Sequence, residues 1–249
     1  MKFFIGKKKS HSYKGLLVKA DEGLHEKIAE EILHRVPKGG IILDLGAGEG
    51  ALSERLFDLG YHVVAADKDP RSFRCRNAKF TEINFDSSSE LENFVSSHEK
   101  AFDAVLGVEV IEHVKNQWQY VQQLVRMAKP GGMILITTPN TTSWLSRFIF
   151  LISGRFHQFS DGDLSYGHIS PITPWELNMI MSDSGVDNIT VSPAGTLPPI
   201  YITGLNKLLI INFFALLVRP FQKGIIDGWC IVVSGRKKHE HLLYTFLVP

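Results

Sequence analysis

Three glycines at alternate positions, Gly46, Gly48 and Gly50, follow Asp44 in the stretch Asp44-Leu45-Gly46-Ala47-Gly48-Glu49-Gly50. Glycine lets the backbone bend sharply and lets a ligand lie against it where a Cβ would obstruct, so this turn suits a nucleotide-like cofactor. Alone the pattern is weak, and its weight comes from residues placed after later apolar runs. Asp67 stands about twenty residues beyond Gly46, the spacing at which an acid accepts hydrogen bonds from a ribose diol. Phe85 and Asp86 join an apolar group to an acceptor, a pair suited to an adenine edge and its exocyclic amine. Val108 to His113 and then Pro139-Asn140 end two further runs. His113, and His168 in a segment able to fold over a pocket, are the natural proton acceptors near neutral pH.

The elements needed to position these residues are legible around them. Leu24, Ile28, Ile32 and Val36 recur one turn apart, giving an amphipathic helix stopped by Pro37-Lys38-Gly39-Gly40. A buried strand, Ile41 to Leu45, delivers the chain to the glycine turn; a helix from Ala51 to about Leu59 and a strand, His62 to Ala66, complete a strand–helix–strand unit. Further strands are expected at Phe80 to Asn84, Asp103 to Val108, Met133 to Thr137, Asn188 to Ser192 and Trp229 to Ser234. Helices are expected from Trp118 to Ala128, closed by Lys129-Pro130-Gly131-Gly132, and from Pro174 to Asp183. Short connections and alternating element types predict a doubly wound α/β sheet, in which ligands bind beyond the carboxyl ends of the strands.

With 249 residues the chain suits one large α/β domain or two small ones, and its formal net charge of +1 gives no field directed at nucleic acid. Cys75 and Cys230 have no metal-binding spacing, which predicts ordinary thiols in a reducing compartment. The basic N-terminus, with Lys7-Lys8-Lys9, is too short in its apolar part for a secretory signal and reads as a frayed end. Two apolar stretches exceed a minimal sheet: Trp144 to Ile152, and Leu208 to Val218 bracketed by Lys207 and Arg219. Neither reaches the roughly 18–20 uncharged residues of a membrane span. They complete the core or cover a pocket, or else they form a membrane-interface surface.

The motifs together resemble the class I S-adenosylmethionine-dependent methyltransferases, especially the small-molecule subgroup that includes the ubiquinone-biosynthesis O-methyltransferases. The stretches that carry the resemblance are Leu43 to Gly50, Val63 to Asp67, Phe102 to Val105 with Glu109 to Val114, Met127 to Asn140, and Gly167 to Ser170 followed by Pro174 to Leu177. It runs from about Leu24 to Val191, with a closing strand at Trp229, and the Ala194 to Ile226 segment departs from it. It implies a Rossmann-like seven-stranded sheet, mostly parallel, with the last strand antiparallel. It assigns Gly46, Gly48 and Gly50 to close approach of S-adenosylmethionine, Asp67 to its ribose, Asp86 to its adenine amine, and Asp44 to the loop or the methionine ammonium. The candidate cofactor-binding set is Asp44, Gly46, Ala47, Gly48, Gly50, Asp67, Lys68, Phe85, Asp86 and Val108.

Methyl transfer to a hydroxyl would need a base, and His113 and His168 are the candidate catalytic residues. Glu109 and Glu112 could instead hold a divalent cation, but Glu112 reads first as a brace for the following helix and no metal ligand is assigned. The expected organisation is a single methyltransferase domain over residues 1–249, with substrate-side insertions near 141–171 and 194–226. The expected acceptor is a small molecule, lipid-like or membrane-associated, such as a quinone precursor or lipid-linked glycan. The expected location is cytoplasmic, with peripheral contact at the inner face of the membrane as its extension. Two other readings stay open: an NAD-dependent oxidoreductase, and a cofactor-binding membrane partner without catalysis.

Overall fold

The computed structural model describes residues 11–85, 87–197, 213–214 and 216–239. A small hairpin of β1 (His11–Tyr13) and β2 (Leu16–Val18) comes first, followed by α1 (Leu24–Arg35). The apolar run after Gly40 forms β3 (Ile41–Leu45), then α2 (Ala51–Asp58), β4 (His62–Asp67) and β5 (Lys79–Glu82). Next come α3 (Ser88–Ser97), β6 (Phe102–Val108), a 3-10 turn (Ile111–His113), α4 (Gln117–Met127) and β7 (Ala128–Pro139). The remainder is α5 (Trp144–Ser153), α6 (Asp161–Leu164), α7 (Pro174–Asp183), β8 (Val186–Ala194) and β9 (Cys230–Lys237).

Seven strands form one sheet in the order β5-β4-β3-β6-β7-β9-β8. β3 to β7 run parallel, and β9, the last of the described strands, is antiparallel to both β7 and β8. The chain winds outward from β3 to β5 and then crosses back to β6, so the switch point lies between β3 and β6, where an open parallel sheet leaves a crevice. Both faces are covered, as expected of strands apolar on both sides. One core layer draws on α3, α4 and α7 through Phe94, Leu124 and Ile180, the other on α1, α2 and α5 through Ile28, Leu52 and Trp144. Side-chain caps start the helices that flank the site: Asn116 accepts from Gln119 N (3.0 Å), Ser143 from Ser146 N (3.2 Å) and Thr173 from Glu176 N (3.1 Å).

Several sequence expectations change. Lys129 to Gly132, read as the close of a helix, lies inside β7, which starts five residues earlier than expected. Phe102 pairs with Ala128 and Ala104 with Met133, so Asp103 alone faces the extra residues, and Lys129 Nζ bonds its carboxylate at 2.7 Å. This is an enlarged bulge: it ends α4 and still keeps the strand in the sheet. The third parallel strand stops at Glu82, leaving Asn84 in a loop. The hairpin and α3 had no counterpart in the sequence reading. The apolar run from Trp144 is α5; of the second run, Lys207 and residues 208–212 and 215 lie outside the described residues, while Phe213, Phe214 and residues 216–218 are helical. The basic triplet at 7–9 also lies outside them. Among the described residues no helix is long and apolar enough to cross a membrane.

Candidate active site

The loop after β3 is fixed from below: Gly46 N and Ala47 N both donate to Ala66 O of β4, at 2.8 and 3.2 Å. Gly46 has φ 86°, and a Cβ there would fall 2.3 Å from Val110 Cγ2. Gly48, at φ 56°, has only Lys19 Cδ near its absent Cβ, at 3.9 Å, so its bare face belongs to the open space beyond the strands. Its N–H donates to Asp67 Oδ2 (2.8 Å), while Asp67 Oδ1 accepts from Asp69 N (3.1 Å). A carboxylate has about four acceptor positions, so Asp67 can brace the loop and still receive a diol. Gly50 serves a different end: a Cβ there would meet Cys75 Cβ at 2.5 Å and Phe73 Cε2 at 2.8 Å, so the glycine permits packing rather than forming the cavity wall.

Asp44 is 2 % exposed and accepts from Ser53 Oγ at 2.6 Å. Burial pushes its carboxyl up to about 6, against the opposing effect of the Ser53 hydrogen bond. A cation arriving beside it would restore the charged form.

A cavity of about 940 Å³ opens over these strand ends, and Asp44, Gly46, Ala47, Gly48, Asp67, Lys68, Phe85, Val108, His113 and His168 all line it. Of the expected residues, Gly50 does not line it, and Asp86 lies outside the described residues. The sequence reading missed one wall, formed by His11, Leu17, Val18, Lys19, Asp21 and His25. It also missed Gln158 and Tyr166 from the segment after α5, and Cys230 at the start of β9. The only local signal for that wall was a glycine, Gly15, between two short stretches.

Glu109, which lines the same cavity, leaves β6 at φ 54°, an uncommon conformation for a side chain that is not glycine. Its N–H donates to Thr137 Oγ1 (3.0 Å), Thr137 Oγ1 donates to Glu109 Oε1 (2.9 Å), and Cys230 Sγ donates to Oε2 (3.4 Å). Burial raises the Glu109 carboxyl, opposed by those two side-chain bonds. Glu112 is fully buried, and neither carboxylate oxygen finds a hydrogen-bond donor among the described residues. Burial and the nearby Glu109 raise it well above the usual range. Its side chain therefore caps nothing, contrary to the sequence reading; its backbone carbonyl does the bracing, accepting Ile169 N and Ser170 N at 3.0 Å each.

His113 and His168 meet edge to face with ring centroids 4.9 Å apart. His168 Nδ1 is tied to Gln158 O at 2.8 Å, and His113 Nε2 lies 4.0 Å from Glu112 Oε1. Burial lowers the pKa of His113, opposed by its hydrogen bond to the Gly167 backbone. Glu112, His113 and His168 each present a ligand atom within 4.8 Å of the others, so the same trio could hold a divalent cation.

A second groove of about 560 Å³ is lined by Arg147, Phe148, Leu151 and Ile152 of α5 and by Phe214, Val218 and Gln222. Leu151 is 79 % exposed and Phe221 84 %. Exposed apolar side chains gathered in this way mark a binding surface.

A parallel sheet with its crevice at the switch point, a glycine loop after the first strand and an acid after the second define a nucleotide-cofactor α/β domain. Residues 20–191 match the family model described as a methyltransferase domain, and the chain belongs to this family of class I S-adenosylmethionine-dependent methyltransferases. It is similar to a ubiquinone biosynthesis O-methyltransferase of Rhizobium johnstonii, at 27 % identity over 72 % of this chain and 73 % of that protein. The mitochondrial ubiquinone biosynthesis O-methyltransferase of Dictyostelium discoideum is 34 % identical over 47 % of this chain, a match spanning only 41 % of its own length. Among solved structures, a SAM-dependent methyltransferase from Archaeoglobus fulgidus superimposes with a TM-score of 0.60 at 16 % identity, covering 86 % of this chain and 94 % of that one. At that identity the likeness concerns the fold alone.

Proposed function

We propose that the chain transfers the methyl group of S-adenosylmethionine to a hydroxyl of a small, hydrophobic acceptor of the quinone-precursor type. The observation that carries this reading is a single cavity lined both by the glycine loop, Asp44 and Asp67 and by the His113–His168 pair. The bare face of Gly48, the braced Asp67 and the buried Asp44 fit a cationic nucleoside cofactor, with Lys68, Phe85 and Val108 completing its walls and Asp86 assigned to the adenine amine. When bound, the cofactor supplies a methyl group already activated by its sulfonium. The protein must then hold the acceptor oxygen in line at about 3 Å, an effect worth up to about 7–11 kcal/mol in well-oriented systems. His113, with Nδ1 turned to Gly167, accepts the hydroxyl proton at Nε2, and His168, fixed through Gln158, orients the same hydroxyl. The named relatives support oxygen as the acceptor atom and a quinone precursor as its class.

The test is incubation with methyl-labelled cofactor and either polyprenyl catechols or a lipid extract. Label in an ether linkage is expected; binding of S-adenosylhomocysteine with no transfer to any acceptor would favour a non-catalytic partner instead. Thermal stabilisation by NAD alone would sink the cofactor assignment.

A second reading is favoured by the unpartnered Glu112 carboxylate: with His113 and His168 it holds a divalent cation that lowers the acceptor's pKa. Chelation separates the two, since it abolishes turnover only if the cation is needed.

We also infer peripheral contact with a membrane, at its inner face in a reducing compartment, as the source of the acceptor. In support, the groove between α5 and 213–222 is apolar, and Arg147 and Lys223 stand beside it, while Arg219 is paired with Asp227. Such a surface is attracted to anionic lipid. Flotation with anionic vesicles tests it: a protein that stays at the bottom of the gradient has no such contact. The single domain over 1–249, with 141–171 and 194–226 as its acceptor-side insertions, belongs to the same proposal.

A further inference from the structure

We propose that the β1–β2 hairpin is a hinged cover over the cofactor end of the cavity, locked to α2 by a polar latch, with Glu49 as the positioning residue that ties the cover to the glycine loop. The inference rests on the cofactor reading above and adds an element that lies before the residues matched to the family, 20–191.

The hairpin has little of its own to hold it. Each strand has three residues, and the turn between them uses Lys14 and Gly15, both at positive φ (48° and 82°), as a two-residue hairpin turn requires. Of residues 11–18 only Val18 is buried. An isolated hairpin of this size is not stable in water, so its position is set by what it touches.

What it touches is polar and exposed. Tyr13 Oη donates to Asp58 Oδ2 (2.7 Å), and Lys14 Nζ donates to Asp58 Oδ1 (2.6 Å) and reaches Glu54 Oε1 (3.5 Å). The Arg55 guanidinium lies over the Tyr13 ring at 4.2 Å from its centroid. These three partners, Glu54, Arg55 and Asp58, sit on α2, the helix that leaves the glycine loop. Nearer the loop, Leu17 N donates to Glu49 Oε2 at 2.9 Å, and Glu49 is itself a residue of the turn between Gly48 and Gly50. His11, Leu17, Val18 and Lys19 line the cavity, and the Lys19 stem crosses the bare face of Gly48 at 3.9 Å.

The closed position is therefore held by a few solvent-exposed contacts at one side of the cavity, while the strands beneath are locked in the core. Elements with few apolar contacts open at far lower cost than the fold as a whole. Opening releases the cofactor end; closing buries it under Leu17, Val18 and Lys19. Because Asp58 receives both Tyr13 and Lys14, it is the point at which the latch can be cut without touching the cavity.

The experiment compares the full chain with Asp58→Ala, Glu49→Ala and Glu49→Gln by two readouts. Stopped-flow dissociation of S-adenosylhomocysteine is expected to quicken about tenfold in both alanine variants, with association little changed. Glu49→Gln, which still offers an oxygen to Leu17 N–H, should stay near the parent. Hydrogen exchange at the amides of residues 16–18, in the protein without ligand, is expected to speed up in the same two variants. Unchanged exchange overturns the latch, and faster exchange with unchanged dissociation overturns the cover. If the parent binds no S-adenosylhomocysteine, it is the cofactor reading that fails, and the exchange arm still decides the latch.

Discussion

The glycine-loop wall of the cavity and the apolar surface around α5 are built on opposite terms. At the cofactor end, loop and strand secure one another: Ala66 O takes two N–H groups of the glycine loop, Asp67 takes a third, and Ser53 meets Asp44. Along 141–171 and 213–222, apolar surface is left uncovered: these segments hold twelve of the nineteen large hydrophobic residues exposed among the described residues. A cofactor is the same molecule in every turnover, so its site can be closed by backbone geometry. The acceptor proposed above, drawn from an apolar phase, calls for a surface that matches that phase.

The largest expected effect is at the backbone-defined end. Gly46→Ala puts a methyl group 2.3 Å from Val110 Cγ2 at a positive φ, so calorimetry should detect no cofactor binding and stability should fall by about 2 kcal/mol or more. Gly48→Ala sharpens the contrast: its methyl meets no protein atom closer than 3.9 Å, so it should fold at a cost of about 1 kcal/mol while still impairing cofactor affinity. Next in size are His113→Ala and His168→Ala, expected to slow transfer by about 10²–10⁴-fold while S-adenosylhomocysteine affinity stays put. Loss of affinity in step with rate would mean that the two ends are not separable.

Asp44 gives a smaller effect with a defined pH dependence. Its folded pKa is raised from 3.8 to about 6, so the folded protein prefers the neutral acid. That preference stabilises fully below pH 3.8 and is lost as pH rises through about 6, a change of about 3 kcal/mol. A cationic cofactor favours the ionised form, so its affinity should climb as pH rises through the same window. Asn at this position should flatten that profile, weaken binding about tenfold and raise the unfolding temperature of the ligand-free protein at pH 7.5. The smallest effect on the fold is expected from Leu151→Asp with Ile152→Asp: stability should change by less than about 0.5 kcal/mol per site, while flotation with vesicles is lost.

The same contrast decides what the sequence disclosed. Strand, turn and acid lie close together in the sequence, so Gly46, Gly48 and Asp67 could be picked out by spacing, and a doubly wound, mostly parallel sheet could be expected. Gly50 shares that spacing yet packs on Phe73 and Cys75, a contact that no local pattern encodes. The His113–His168 pair could be named but not joined, because the Glu112 carbonyl that draws residues 169 and 170 in is a backbone contact across more than fifty residues. The hairpin was missed because its attachment is almost wholly polar, and a stretch with one buried residue has no hydrophobic period to read. The bulge in β7 looked like a helix terminus because Pro-Gly-Gly serves both purposes.

The place of β9 has a consequence for how the protein is made. Among the described strands it comes last in sequence, but it fits between β7 and β8, both of which precede it. At about 5–20 residues per second, some 5–20 s separate the emergence of Pro139 from that of Cys230. During that interval β7 has an open edge along Met133–Thr138, β8 has nothing to pair with, and Glu109 lacks Cys230. The nascent polypeptide can thus assemble its cofactor crevice while still being synthesised, but the acceptor end cannot be finished until the last strand slots in. Until then an apolar strand edge stands exposed to its neighbours on the polysome, and that interval is where chaperone demand and misassembly of this protein should concentrate.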